Sequence, residues 1–388
     1  MNNFYIFDIC VKRVKLKMIP TQKIIPKRTK RIRAEWLNEV LHESGYLKDV
    51  NIESIFREPC GEGEGFMSDM ARLTITYDKE SPELPKTMVV KMPTTFRTAL
   101  AVALQYNLYE KEIKFYTEIA PKSPIRVPNL IYSDYDSEAK KYILILEDCA
   151  CYYMVDQIEG LNYEQTKQAI NLIADFHARW WDSPDLFSFD WIPKPKDEFF
   201  KTSIIETFHS SWDLAVKSEK FLGMLPEGSR EVGEKIYKQF PWILDNVPEN
   251  NLTLIHLDYR ADNMFFDSEN SKNPLIIIDW GGTVINGGIV DVAYLLGASL
   301  KVELRRKIEK EMLELYLNRL EENGIVSMDF DELWEYYLRA LMSYMWLPPL
   351  AFTQLDMSDP RGIALYKEFA NRLFLANIDN DSTSVLPS

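Results

Sequence analysis

Cysteine, histidine and glycine are scarce in this chain of 388 residues: four Cys, four His and 15 Gly. So few cysteines over this length do not build a disulfide framework. His42, His177 and His209 have no Cys or His partner at ligand spacing, so they do not build a metal site. No apolar run approaches the ~18 residues needed to cross a bilayer. Basic charge is in deficit, with 45 Lys and Arg against 59 Asp and Glu, a net charge of −14. That argues against a general nucleic-acid binder, which needs a basic face. A G-x-S-x-G nucleophile elbow is missing, and with it the signature of a serine hydrolase of that type. Internal repeats and low-complexity tracts are missing too. What is present is a 46% hydrophobic, 13% aromatic composition, enough for a real core, which excludes a mainly disordered chain. The length predicts two or more domains, or one large bilobal unit.

The charge is unevenly spread. Residues 1–33 hold ten basic side chains and one acid, Asp8, which leaves 35 basic and 58 acidic groups in 34–388, a net of −23. This basic leader makes a poor secretory signal, because its apolar part, Phe4 to Val11, is interrupted by Asp8 and precedes the positive charges. It reads as a solvated extension, with transit-peptide and membrane-surface roles as alternatives and Met18 as an alternative start. The expected location is the cytoplasm.

Periodicity predicts a helix over 30–47, closed by Gly45. Strands are predicted over 50–56, 70–77 and 86–92, a long helix over 98–119, and two further strands over 126–133 and 141–147. The run Tyr142-Ile143-Leu144-Ile145-Leu146 is almost wholly apolar, as a buried central strand should be. From 163 the texture turns helical, with a proline- and aromatic-rich connector at 183–199, a β-rich island from Leu252 to Asp279, and helices to about 376. The layout is a basic extension (1–33), a small sheet lobe (34–148) and a larger helical lobe (149–380) carrying an inserted strand pair, an organisation suited to a cleft between lobes.

The strongest segment is His256-Leu257-Asp258-Tyr259-Arg260-Ala261-Asp262-Asn263, followed by Ile276-Ile277-Ile278-Asp279-Trp280-Gly281. A tight loop presents Asp258 and Asn263 five residues apart, and Asp279 emerges from an all-apolar strand. A carboxylate in that position is costly unless it is paired or bound to a cation. Phosphoryl transfer needs these parts: one carboxylate to accept the proton of the attacking hydroxyl, and one carboxylate with one amide oxygen to hold Mg²⁺ against phosphates. The H-x-D-x-x-x-x-N spacing matches a kinase catalytic loop, and Asp-Trp-Gly stands where D-F-G would.

On these residues the chain resembles the aminoglycoside phosphotransferase and choline kinase superfamily, and within it the ecdysteroid-kinase-like (CHK kinase-like) branch. The likeness spans roughly residues 55–300. It implies an α+β, bilobal, protein-kinase-like fold, with a small antiparallel-sheet N-lobe that binds nucleotide and a larger helical C-lobe. It also implies Asp258 as catalytic base, Asn263 and Asp279 as metal ligands, and His256 as the structural histidine that opens the loop. Family members usually have glycine where this chain has Leu257. Asp291 resembles the aspartate that braces the loop through backbone hydrogen bonds, and His177 resembles a histidine of the family's core.

The remaining kinase parts have candidates. Lys91 ends the run Met88-Val89-Val90 and would contact the α- and β-phosphates. Glu112, favoured over Glu110, would be the helix glutamate that pairs with it. The run 61–68, with Gly63, Gly65 and Ser68, would cover the phosphates. Backbone groups around Glu147, Asp148 and Cys149 would read the adenine edge. Taken alone, each has a plainer reading: the glycine run a hairpin turn, Lys91 a strand-end lysine, Glu112 a solvated helix residue, Arg260 and Asp262 a local ion pair. Trp334, Tyr336, Tyr337, Tyr344 and Trp346 read mainly as core, some of them as walls of an acceptor pocket. Together the expectations describe an ATP- and Mg²⁺-dependent kinase acting on a hydroxyl of a choline-like, aminoglycoside-like or sterol-like small molecule. The alternatives are a catalytically weak, kinase-fold binding protein and, less well supported, a protein kinase.

Overall fold

The alternating runs of the first third pair into one antiparallel sheet. In the computed structural model, which describes residues 25–60, 67–194, 197–246, 251–270, 274–326 and 328–387, these strands are β1 (Ile52–Pro59), β2 (Ser68–Tyr77), β3 (Thr87–Pro93), β4 (Leu130–Asp136) and β5 (Lys141–Glu147). Their order is β1-β2-β3-β5-β4. Gly63, Gly65 and most of the basic leader lie outside the described residues.

Side-chain alternation decides what each face of this sheet does. Met88, Val90 and Met92 of β3 join Leu73, Ile75, Ile143 and Ile145 in a core with Leu37, Val40 and Leu41 of α1 (Ala34–Glu43). Helix α1 ends at a left-handed Gly45 (φ 76°), as its sequence predicts. Lys91 falls on the opposite face of β3, level with Met70 of β2 and Leu144 of β5.

The chain divides into two compact units: the described residues of Met1–Leu100 with Asn129–Asp148, and those of Ala101–Pro128 with Cys149–Ser388. The helix predicted over 98–119 is interrupted. It runs as α2 (Arg97–Gln105), turns at Asn107 in a left-handed conformation (φ 51°), and resumes as α3 (Leu108–Lys114) with a π-helical turn over Phe115–Ile119.

The second unit continues with β6 (Tyr153–Met154), α4 (Tyr163–Trp180), α5 (Glu198–Ala215), α6 (Glu219–Leu222), α7 (Ser229–Asp245), β7 (Leu252–Ile255), β8 (Met264–Phe266), β9 (Leu275–Ile277) and β10 (Val284–Gly287). Then come α8 (Ile289–Ser299), α9 (Val302–Glu322), α10 (Phe330–Ser343), α11 (Leu347–Gln354) and α12 (Pro360–Asp379). Helix α4 begins at a capping box between Asn162 and Gln165. Helix α8 is apolar on nearly all sides and buried almost throughout, as such a helix must be in a core. The strands of the β-rich island pair with strands outside it: β8 and β9 form one small sheet with β6, and β7 pairs with β10. Strands β6 and β10 are too short to show a period of their own. The whole is an α+β fold, an N-terminal antiparallel sheet followed by a mainly helical region. None of its described helices is long and apolar enough to cross a membrane.

Candidate active site

Two antiparallel pairings bring the loop residues together. Val284 of β10 sits opposite Ile255 of β7, and Met264 of β8 opposite Ile277 of β9. The β8–β9 ladder is extended by Ile278 N–H donating to Asn263 O at 3.1 Å, which sets the end of the apolar strand beside the loop. His256 stitches the same two segments: its Nε2 donates to Ile278 O at 2.8 Å, and its Nδ1 accepts from Asp258 N–H at 3.2 Å. Asp258, Asn263 and Asp279 are thereby gathered at one end of this small sheet. Trp280 anchors the far side. It is fully buried, stacks on Phe115 at 3.9 Å, and donates from Nε1 to Ile277 O.

The loop is held from beneath by a buried carboxylate. Asp291, on the first turn of α8, accepts from His256 N–H at 2.7 Å and Leu257 N–H at 2.8 Å. It also faces His177 Nε2 at 3.3 Å, and His177 Nδ1 meets the Tyr316 hydroxyl at 2.9 Å. Two backbone donors that would otherwise be unpaired in an apolar interior are satisfied in this way. Gly288 is required for the close approach: a Cβ there would lie 2.3 Å from Tyr316 Oη and 2.6 Å from His177 Nδ1.

The Asp258 carboxylate collects donors on both oxygens. Arg260 Nε is 3.1 Å from Oδ1, and Asn263 Nδ2 donates to Oδ2 at 2.9 Å and to Asp258 O at 2.8 Å. Tyr294 donates to the same carboxylate, and burial, then that negative charge, pushes its phenol pKa up. Arg260 also binds Asp262 at 2.9 Å. Burial opposes its charge, but the carboxylates of Asp258 and Asp262 outweigh it and raise its pKa. Asp258 nevertheless stays 40% exposed, so its carboxylate is reachable. Both amide hydrogens of Asn263 are spent on Asp258, which leaves its carbonyl oxygen as the atom to offer a cation.

The other sequence candidates fall as follows. Glu112 lies buried on α3, and its charge, with those of Cys149 and Asp279, reaches the buried Tyr116 phenol, whose pKa is raised by burial first and these charges second. Cys149 is buried, and its carbonyl accepts from Tyr152 N–H. Lys91, Ser68 and Glu147 belong to the first unit. Lys91 is buried on β3, Ser68 opens β2 opposite Pro93, and Glu147 ends β5 with its carboxylate accepting from Asn129 Nδ2 and its N–H donating to Asn129 O. Asp148 takes a two-bond ion pair from Arg72. Sequence reasoning missed Tyr294 as a partner of Asp258. The signal was there in the i, i+3 spacing of Asp291 and Tyr294, which sets both on one face of α8.

The ecdysteroid kinase-like family model matches residues 62–326, well over half of the chain. The protein belongs to that family. No curated protein is similar to it at a significant level. Among solved structures, this ecdysteroid kinase-like chain is similar to an ethanolamine kinase from Plasmodium vivax (TM-score 0.54, 13% identity, 92% of this chain and 91% of that one). It is similar to a choline kinase from Cryptosporidium parvum (TM-score 0.53, 13% identity, 90% and 94%). It is also similar to a mutant aminoglycoside 2'-phosphotransferase-IIIa in complex with GDP (TM-score 0.56, 15% identity, 88% and 99%). At these identities the likeness is one of fold.

Beside the loop, this ecdysteroid kinase-like protein has an open cavity. Leu257, Val290, Tyr336, Tyr344 and Trp346 are among its mostly apolar walls. Tyr344 links wall to loop: its hydroxyl donates to Leu257 O at 3.0 Å and its ring stacks on Tyr294 at 4.3 Å. Arg339 is the charged wall residue, paired with Glu335 and flanked by Trp242 and Tyr336, and no carboxylate is among the described lining residues. Of the remaining candidates, Tyr337 is core, bonded to Glu309, and Trp334 packs on Phe330 and Tyr337.

Proposed function

We propose that this protein is a small-molecule kinase that transfers the γ-phosphate of ATP to a hydroxyl group. The observation that carries the reading is the gathering of Asp258, Asn263 and Asp279 at one end of the β8–β9 hairpin, on a loop held by Asp291. Family membership and the fold of choline, ethanolamine and aminoglycoside kinases support it.

Asp258 takes the proton of the acceptor hydroxyl as its oxygen bonds to the γ-phosphorus and the bond to the β,γ-bridging oxygen breaks, releasing ADP. Arg260, Asn263 and Tyr294 fix the direction of the carboxylate. Among the described residues, no group of three or more His, Cys, Asp or Glu side chains could hold a metal alone. The Asn263 carbonyl and the Asp279 carboxylate fit Mg²⁺, a hard cation that takes one or two protein oxygens and completes its shell with phosphate and water. When bound, the ion would neutralise charge on the transferring phosphate. Lys91 and Glu112 are proposed for nucleotide binding, with Gly63, Gly65, Ser68, Glu147 and Cys149.

The cavity beside the loop is proposed as the acceptor site. Its apolar walls and the Arg339 cation suit a sterol-like alcohol better than a choline-like or aminoglycoside-like cation, since a cationic guest would need a carboxylate or an uncrowded aromatic face.

Asp258→Ala should lower ATP-dependent phosphorylation of an alcohol panel by about 10²–10⁴-fold while keeping the thermal shift given by ATP with Mg²⁺. Asp279→Ala should lose that shift. The crowding of Asp258 by Arg260 also suits the second reading, a nucleotide-binding protein of weak activity. An ATP-dependent shift with no transfer to any panel member selects it.

A further inference from the structure

We propose that Leu257 is a specificity-determining residue, a wall that limits the size of the acceptor admitted beside the catalytic loop. The inference rests on the cavity being the acceptor site. Leu257 has φ 72°, in the left-handed region that favours glycine. The other non-glycine residues with positive φ among those described are Asn107, Lys140, Asp182, Asn251, Asp279 and Asp381. Asn and Asp tolerate that region because their short polar side chains bond locally. Leu257 is the apolar exception.

Its hydrogen bonds account for the backbone but not for the side chain. Leu257 N–H donates to Asp291 and Leu257 O accepts from Tyr344. Both bonds are made by main-chain atoms, and glycine would keep them. Nor is the side chain a piece of the deep core. It is only partly buried, packed at the edge of a cluster that contains Tyr294 and Tyr344. What Leu257 does is line the cavity, as the residue that precedes Asp258 in sequence. A strained conformation kept for a side chain at a ligand wall is the pattern expected of a functional constraint. Removing its side-chain carbons should enlarge the cavity at the wall that precedes Asp258 in sequence, and so admit bulkier acceptors.

The test uses the full chain and its Leu257→Ala and Leu257→Gly variants. Binding of cyclohexanol, decahydro-2-naphthol and testosterone is measured by equilibrium dialysis, and phosphoryl transfer from ATP to each is measured in parallel. In both variants the affinity for testosterone relative to cyclohexanol should rise at least tenfold. The melting temperature should separate bulk from strain. Leu257→Ala keeps a Cβ at positive φ and should melt lower than the parent, whereas Leu257→Gly should melt higher than Leu257→Ala. Equal affinity ratios in all three proteins would overturn the assignment, as would the absence of saturable binding by any of the alcohols. A shifted ratio without phosphoryl transfer keeps the wall assignment and removes the kinase reading. Transfer without a shifted ratio does the reverse.

Discussion

Lys111 is a buried lysine of the second unit. It is 2% exposed, on α3, with Thr283 O at 3.3 Å as its hydrogen-bond acceptor, and burial pulls its pKa from the ordinary 10.5 down to about 7. Above pH 7 the folded protein therefore holds this amine neutral, while the unfolded chain keeps it protonated up to about pH 10. The unfolded state then binds more protons, so this group makes stability rise with pH from about 7 towards 10, by at most about 1.4 kcal/mol per pH unit. Urea unfolding at pH 7 and pH 9 should show that rise relative to Lys111→Met, which removes the group. Identical pH slopes in the two proteins would mean that Lys111 is solvated or paired. In the sequence, Lys111 was one lysine in a charged helix. Its burial comes from the packing of α3 on the Trp280–Gly282 turn, which no local pattern records.

At the scale of elements, the unit that matters is the loop between β7 and β8 with its brace. Removing the Asp291 carboxylate leaves the His256 and Leu257 N–H groups without their acceptor in the interior and strips His177 of one partner. Asp291→Ala should lower stability by about 3–5 kcal/mol, the usual cost of removing one member of a buried charged network, as measured by chemical denaturation. Asp291→Asn, which keeps one acceptor oxygen, should lose less. Gly288→Ala tests the same brace from outside it. The added methyl would collide with Tyr316 and His177, and the expected loss is about 1–3 kcal/mol. A neutral result would show that the His177–Tyr316 pair yields easily. Much of this element level was legible. The strand run 141–147, the helix starting at 163 and the chain order of Asp258, Asn263 and Asp279 follow from period and spacing. The break at Asn107 was not legible, because the apolar period continues through it. Strand β10 was not, because four residues ending in glycine acquire strand character only by pairing with β7.

At the scale of the whole molecule, each unit has its own apolar core, one built on α1 and the five-stranded sheet, the other on the helices around α8. The net charge of −14 adds a self-repulsion that neither core removes. Raising salt from about 10 mM to 150 mM shortens the screening length from roughly 30 Å to 8 Å, and the melting temperature should rise with it. A fall would show that favourable ion pairs such as Arg319–Asp175 outweigh the repulsion.

The sequence by itself determined the two textures of the chain, the strands of the first sheet and the identity and order of the residues on the loop between β7 and β8, because these depend on side-chain period and on spacing along a short stretch. Only the tertiary structure decided what surrounds that loop. His177, Tyr316 and Asp291 come from three different helices, and Tyr344 reaches the loop from 87 residues away. Such contacts form when helices close on a common core, and the pattern of any one segment says which face is buried but not which neighbour it is buried against.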